Sequence, residues 1–118
     1  MKLYRFDAEA GQPITLHGSQ HLTMTCIARP EGDVRIGCMY VAAGGSVGYH
    51  QALLHQLFLV VEGHGWVRGE GPDQTAIGIG EAAFWTAGEW HAAGTETGMT
   101  AIVIEAETLD PERFLLGL

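Results

Sequence analysis

Positive charge is scarce in this 118-residue chain. Six Lys and Arg stand against fourteen Asp and Glu, for a formal charge of −8. A surface of that sign cannot grip phosphate, so nucleic acid and anionic membranes are not expected partners. Apolar runs are too short to span a bilayer. Met1 to Asp7 lack the apolar stretch and small-residue cleavage site of a secretory leader, so a cytoplasmic protein is expected. Cysteine is nearly absent. Cys26 and Cys38 fall in apolar alternating segments at no zinc-ligand spacing, and are read as small buried hydrophobes in a reducing compartment. Only four prolines occur, and there is no linker, low-complexity tract or long repeat. What is plentiful is glycine (17 residues) and apolar residues (47%), the composition of one folded domain over residues 1–118 with many tight turns.

Alternation of period two dominates the pattern and predicts an all-β fold. Strands are expected over Leu22 to Ala28, Val34 to Ala42, Leu57 to Val61, His64 to Arg68, Thr75 to Ile79, Ala82 to Trp85, Trp90 to Ala92 and Met99 to Ala106. Glu62-Gly63 reads as a hairpin turn between the third and fourth of these. Glycine or Pro-Asp signals punctuate the series at the spacing of a sandwich or barrel. Only the C-terminus reads as helix, with Asp110 as N-cap, Pro111 as first helical residue, and Phe114, Leu115 and Leu118 docking on the barrel. Gly63-His64-Gly65 is no phosphate loop, since no helix follows it.

Two segments carry a histidine at a matching place. The first runs Gly44, five residues, His50, one residue, Ala52, three residues, Gln56, six residues, Gly63. The second runs Gly80, five residues, Thr86, one residue, Gly88, two residues, His91. These spacings, with the phrase Leu57 to Gly63, resemble the paired motifs of single-domain cupins over roughly residues 34–105. The resemblance implies a cupin-type β-barrel or jelly-roll sandwich. In that family a metal often sits on three His and one Glu. Here Ala52 stands at the second His position, Gln56 at the Glu position, and Thr86 where proline is usual. What remains is a depleted set, His50, Gln56 and His91.

Parity then constrains the surroundings. If Gln56 faces inward, so do Phe58, Val60 and Glu62, but Glu62 lies about 20 Å along the strand and cannot replace the missing carboxylate. His64 is equally remote, His55 points outward, and His17 and His21 lie on the surface. Glu89 is expected in a turn facing solvent. Tyr49 and Trp85 are placed at the mouth, with Phe58 in the lining. Three neutral ligands leave a divalent ion's charge uncompensated, so any Zn, Fe, Ni, Cu or Mn is expected to bind weakly.

Two functions follow. The first is a barrel that binds a small polar molecule through His50, Gln56, Phe58, His91, Tyr49 and Trp85, with histidine able to act as acid or base. The alternative is a metal-dependent oxygenase or lyase with its ion on His50, Gln56 and His91. A homodimer is also expected. In the expected hairpin Leu57, Leu59, Val61 and Trp66 all point away from the interior, more apolar surface than a monomer leaves wet.

Overall fold

A computed structural model describes all 118 residues and confirms an all-β fold. In chain order the strands are β1 (Lys2–Arg5), β2 (Gln12–Ile14), β3 (Leu22–Met24), β4 (Val34–Val41), β5 (Ser46–Gln51), β6 (His55–Arg68), β7 (Thr75–Gly78), β8 (Glu81–Trp85), β9 (Trp90–Gly94), β10 (Met99–Ala106) and β11 (Leu116–Gly117), with one short helix, α1 (Pro111–Phe114), before the last. All pairing is antiparallel. One layer runs β11-β1-β8-β6-β10-β4; the other is formed by β7, the far half of β6, β9 and β5. β2 and β3 form a separate two-stranded sheet. No helix is long and apolar enough to cross a membrane.

β6 is the axis of the molecule, and it corrects the expected hairpin. Glu62-Gly63 is not a turn: the strand continues through it for 14 residues. Thr100 pairs with Glu62 and Ala101 with Val60, so Val61 is the extra residue of a bulge. Gly63 follows with φ +74°, and a Cβ there would fall on the Gly98 carbonyl oxygen. The glycine that looked like a turn signal serves instead to bend one strand between two layers. Its near half pairs with β8 and β10, its far half with β7 and β9.

Alternation on β6 then divides the core. Phe58, Val60 and Val67 join Trp85, Ala83, Ile77, Ala93, Met99, Ala101 and Val103 between the layers. Leu57 and Leu59 face the other way, yet both are buried, against Tyr4, Ala82, Phe84, Ile104 and Leu115. Phe6, Ile27, Leu109 and Phe114 close over that second cluster. The outward face offered as a dimer surface is therefore covered by the chain's own ends. Val61 is exposed because it is the bulged residue, and the Trp66 indole lies against Gly94, where a Cβ would collide with it.

Other expectations change for similar reasons. The strand over Leu22 to Ala28 shrinks to Leu22–Met24, and both its terminal residues are exposed. Cys38 is exposed and Cys26 half-buried; neither is a core residue, and both thiols are free. β1, β2, β5 and β11 were not anticipated. The helix spans only four residues and Asp110 makes no side-chain cap bond. Leu116–Gly117 instead pairs with β1, which takes up backbone groups the helix would have used, and Leu118 remains exposed.

Candidate functional site

A second bulge brings the two motif histidines together. Val47 pairs with Ala93 and His50 with His91, so β5 advances three residues while β9 advances two. Val47 packs against the inner core, and without the extra residue His50 would point outward. With it, the rings of His50 and His91 lie 4.3 Å apart, centroid to centroid. The Gly48 carbonyl, inside the bulge, is 2.7 Å from His50 Nδ1. A carbonyl only accepts, so Nδ1 carries the proton and Nε2 presents its lone pair.

His91 is deeper, 1% exposed, and its ring lies 4.5 Å from the Trp85 indole. Phe58 meets Trp85 edge-on at 6.2 Å, and Gln56 is the cross-strand partner of Trp85, placing both on the inner face. His91 Nδ1 makes a long contact, 3.5 Å, to the Glu89 carbonyl. His91 Nε2 and Trp85 Nε1 are buried and have no hydrogen-bond partner. Burial first, and then the neighbouring His50, lower the His91 pKa below its ordinary 6.5, against a smaller opposing pull from Glu89. His91 is thus a neutral imidazole in a dry environment. His50, by contrast, is exposed.

The remaining residues sort by face. Tyr49 does not join the histidines. The bulge turns it outward, where it stacks on Trp90 at 5.3 Å and lies 4.3 Å beneath the Arg68 guanidinium. Trp85 is fully buried rather than at a mouth. Glu62 pairs with Thr100 and His64 with Gly78, both on ladder positions well past the site. His17 and His21 are exposed. His55 faces outward and accepts a hydrogen bond from the Ala87 N–H at 3.0 Å. Ala52 is buried, its N–H donating to the Glu89 carbonyl and its own carbonyl accepting from Gly88.

Glu89 corrects the expectation of a solvent-facing turn residue. It accepts from the Met1 amino group at 2.6 Å and from the Thr86 N–H and hydroxyl at 3.0 and 2.8 Å. Burial raises its pKa, but these bonds together outweigh that and hold it below the ordinary 4.5. Nothing in the alternation pattern signals this latch; it is made by residues distant in sequence.

Does this donor set fit a divalent ion? The unpartnered His91 Nε2 is a suitable ligand atom, and His50 Nε2 is a second. No third His, Cys, Asp or Glu joins them. The carboxylate nearest in sequence, Glu89, is committed to Met1 and Thr86. Two imidazoles and an amide fall short of the three strong protein ligands of a catalytic site and leave the ion's charge uncompensated. The residues do not fit a tightly held resident ion.

Solved structures resemble the fold. The DMSP lyase DddQ of Ruegeria pomeroyi DSS-3 superimposes with a TM-score of 0.58 at 23% identity, covering 62% of this chain and 38% of that one. A cupin superfamily protein of Desulfitobacterium hafniense DCB-2 gives 0.60 at 15%, covering 82% and 92%. A cupin-like protein of Thermotoga maritima MSB8 gives 0.60 at 16%, covering 64% and 58%. The chain thus spans well under half the length of the lyase it resembles. No protein-family model matches the sequence, and no curated protein matches it.

Proposed function

With a cupin fold as the premise, we propose that the chain binds a small hydroxyl-bearing molecule between His50 and His91, without a resident metal ion. The observation that carries this reading is a pair of unmet polar atoms on two neighbouring buried rings. His91 Nε2 is an acceptor and Trp85 Nε1–H a donor, both buried and both without a partner. Left unmet, each costs about 1–3 kcal/mol. A hydroxyl has the chemistry for either atom, since it can donate to the imidazole and accept from the indole. His50 Nε2 adds a second acceptor beside the first, which favours a ligand with more than one hydroxyl. The depressed pKa of His91 keeps it neutral, so it can accept a proton from a bound hydroxyl as a general base. Gln56 and Phe58 supply amide and apolar lining.

The convergence of two imidazoles supports a second reading, a metal-dependent oxygenase or lyase with a weakly held ion. One preparation separates the two. Protein purified without a His tag or chelating resin is analysed for metals, then titrated with a panel of polyols while imidazole nitrogen shifts are followed by NMR. We expect metal well below stoichiometric and a saturable shift at His91 Nε2. Near-stoichiometric Zn, Fe, Ni, Cu or Mn that survives dialysis would overturn the reading. Ala52→His with Gln56→Glu should raise metal affinity sharply by adding an imidazole and a negative charge.

We also propose a homodimer, on a different surface from the β6 face. β4 is paired on one side only, and Ile36 and Tyr40 are 67% and 80% exposed. The β2–β3 sheet has no buried residue and leaves Leu22 and Met24 in solvent. A hairpin in that condition is marginal alone, and an apolar edge strand invites a partner. The two free thiols agree with a reducing compartment such as the cytoplasm.

A further inference from the structure

A cleft of about 450 Å³ lies on the outer face, where the C-terminal segment meets the chain leaving β3. Its walls carry six ionisable side chains: Arg29, Glu31, His55, Glu107, Asp110 and Arg113. None of them is in an ion pair. The chain's four ion pairs are Met1–Glu89, Lys2–Glu112, Arg5–Asp7 and Arg5–Glu9. Cations are scarce here, six against fourteen acids, and yet two guanidinium groups share a cleft with three carboxylates without contacting them.

The cleft is held in shape by its rims. Thr108 Oγ1 accepts from the Glu31 N–H at 3.0 Å, which ties the two walls together. The Arg113 guanidinium rests over the Phe114 ring at 5.0 Å. His55 has a defined orientation. Its Nδ1 accepts from the Ala87 amide, which can only donate, so the ring proton is on Nε2. Nε2–H is a donor with no partner of its own among the hydrogen bonds of the chain. His55 also packs near Phe84, a residue of the outer cluster, so this cleft is separated from His91 by the sheet itself.

We propose that this cleft is a second small-molecule site, specific for a zwitterion of amino-acid type. The ligand's carboxylate is received by Arg29, Arg113 and His55 Nε2–H, and its ammonium by Glu31, Glu107 and Asp110. A simple anion would gain two guanidinium groups but face three carboxylates, and a simple cation would meet the reverse. Only a ligand with both charges uses both kinds of group. The volume lies within the range of small-molecule sites.

The test titrates the intact protein with a panel of free α-amino acids, with acetate and methylammonium as the two separate halves. Shifts of the His55 imidazole and the Arg113 Nε–H are followed by ¹H–¹⁵N NMR. At least one amino acid should saturate the shifts with a Kd about tenfold or more below that of either half, because the second charge binds intramolecularly. Arg29→Gln and Arg113→Gln, both at exposed positions and so able to fold, should each weaken it severalfold; His50→Ala should not. The proposal is overturned if no amino acid saturates, if acetate alone binds as tightly, or if affinity survives Arg113→Gln. Polyol binding at His91 is read in the same spectra by different resonances, so the two proposals fail independently.

Discussion

One side of the molecule is sealed and the other is open. In β8 every residue after Glu81 is buried, Ala83 and Trp85 facing inward, Ala82 and Phe84 outward. β4 is almost the reverse, with only Met39 and Val41 partly covered. Both strands are apolar and of period two, so their composition does not distinguish them. Position in the sheet does. β8 lies between β1 and β6 and is covered on both faces, while β4 has a neighbour only in β10. The candidate site repeats this contrast in the other layer. β9 lies between β5 and β6 and carries His91, 1% exposed and neutral, whereas β5 pairs only with β9 and carries the exposed His50.

Perturbing the sealed side should have the largest effect. Trp85 is fully buried, touching both Phe58 and His91. Trp85→Ala should cost about 3–5 kcal/mol in urea unfolding. A loss under about 1 kcal/mol would mean that this side is not packed as described.

His91 gives a smaller, pH-dependent effect. Its folded pKa is depressed from 6.5, so the unfolded chain takes up a proton that the folded chain resists. The stability this represents is whole above about 6.5 and is lost as pH falls from there toward the folded value. His91→Gln should flatten that part of the stability–pH curve, measured by urea midpoints.

On the open side, the smallest change in the fold should accompany the largest change in assembly. Ile36→Glu with Tyr40→Glu should shift single-chain stability by no more than about 0.5 kcal/mol, while converting a dimer to a monomer in light scattering. A wild-type species of 12.7 kDa at micromolar concentration would remove the case for a partner on β4.

The fold class could be read from alternation, and the approach of His50 to His91 from the resemblance of the two segments to paired cupin motifs. The cause of that approach could not. It depends on a bulge at Gly48-Tyr49, which reverses parity in mid-strand and sends Tyr49 to the outer face, where it stacks on Trp90. The same limit explains Gly63. A glycine at positive φ suits a hairpin turn and a bulge equally, and only the pairing of Thr100 with Glu62 and Ala101 with Val60 separates the two. The Glu89 latch and the outer cleft have no local signal, because their members are 88 residues apart in the first case and drawn from three segments in the second.

By itself, then, the sequence determined an all-β fold, the two-faced alternation of its central strands, and the amide and methyl side chains at Gln56 and Ala52. Those properties are local or compositional, set by side-chain period and residue identity. Tertiary structure decided which apolar faces are buried, where the strand parity flips, and which charges share a cleft. Each of these depends on what lies opposite a residue, and in an antiparallel sheet one extra residue on one strand reassigns every partner beyond it.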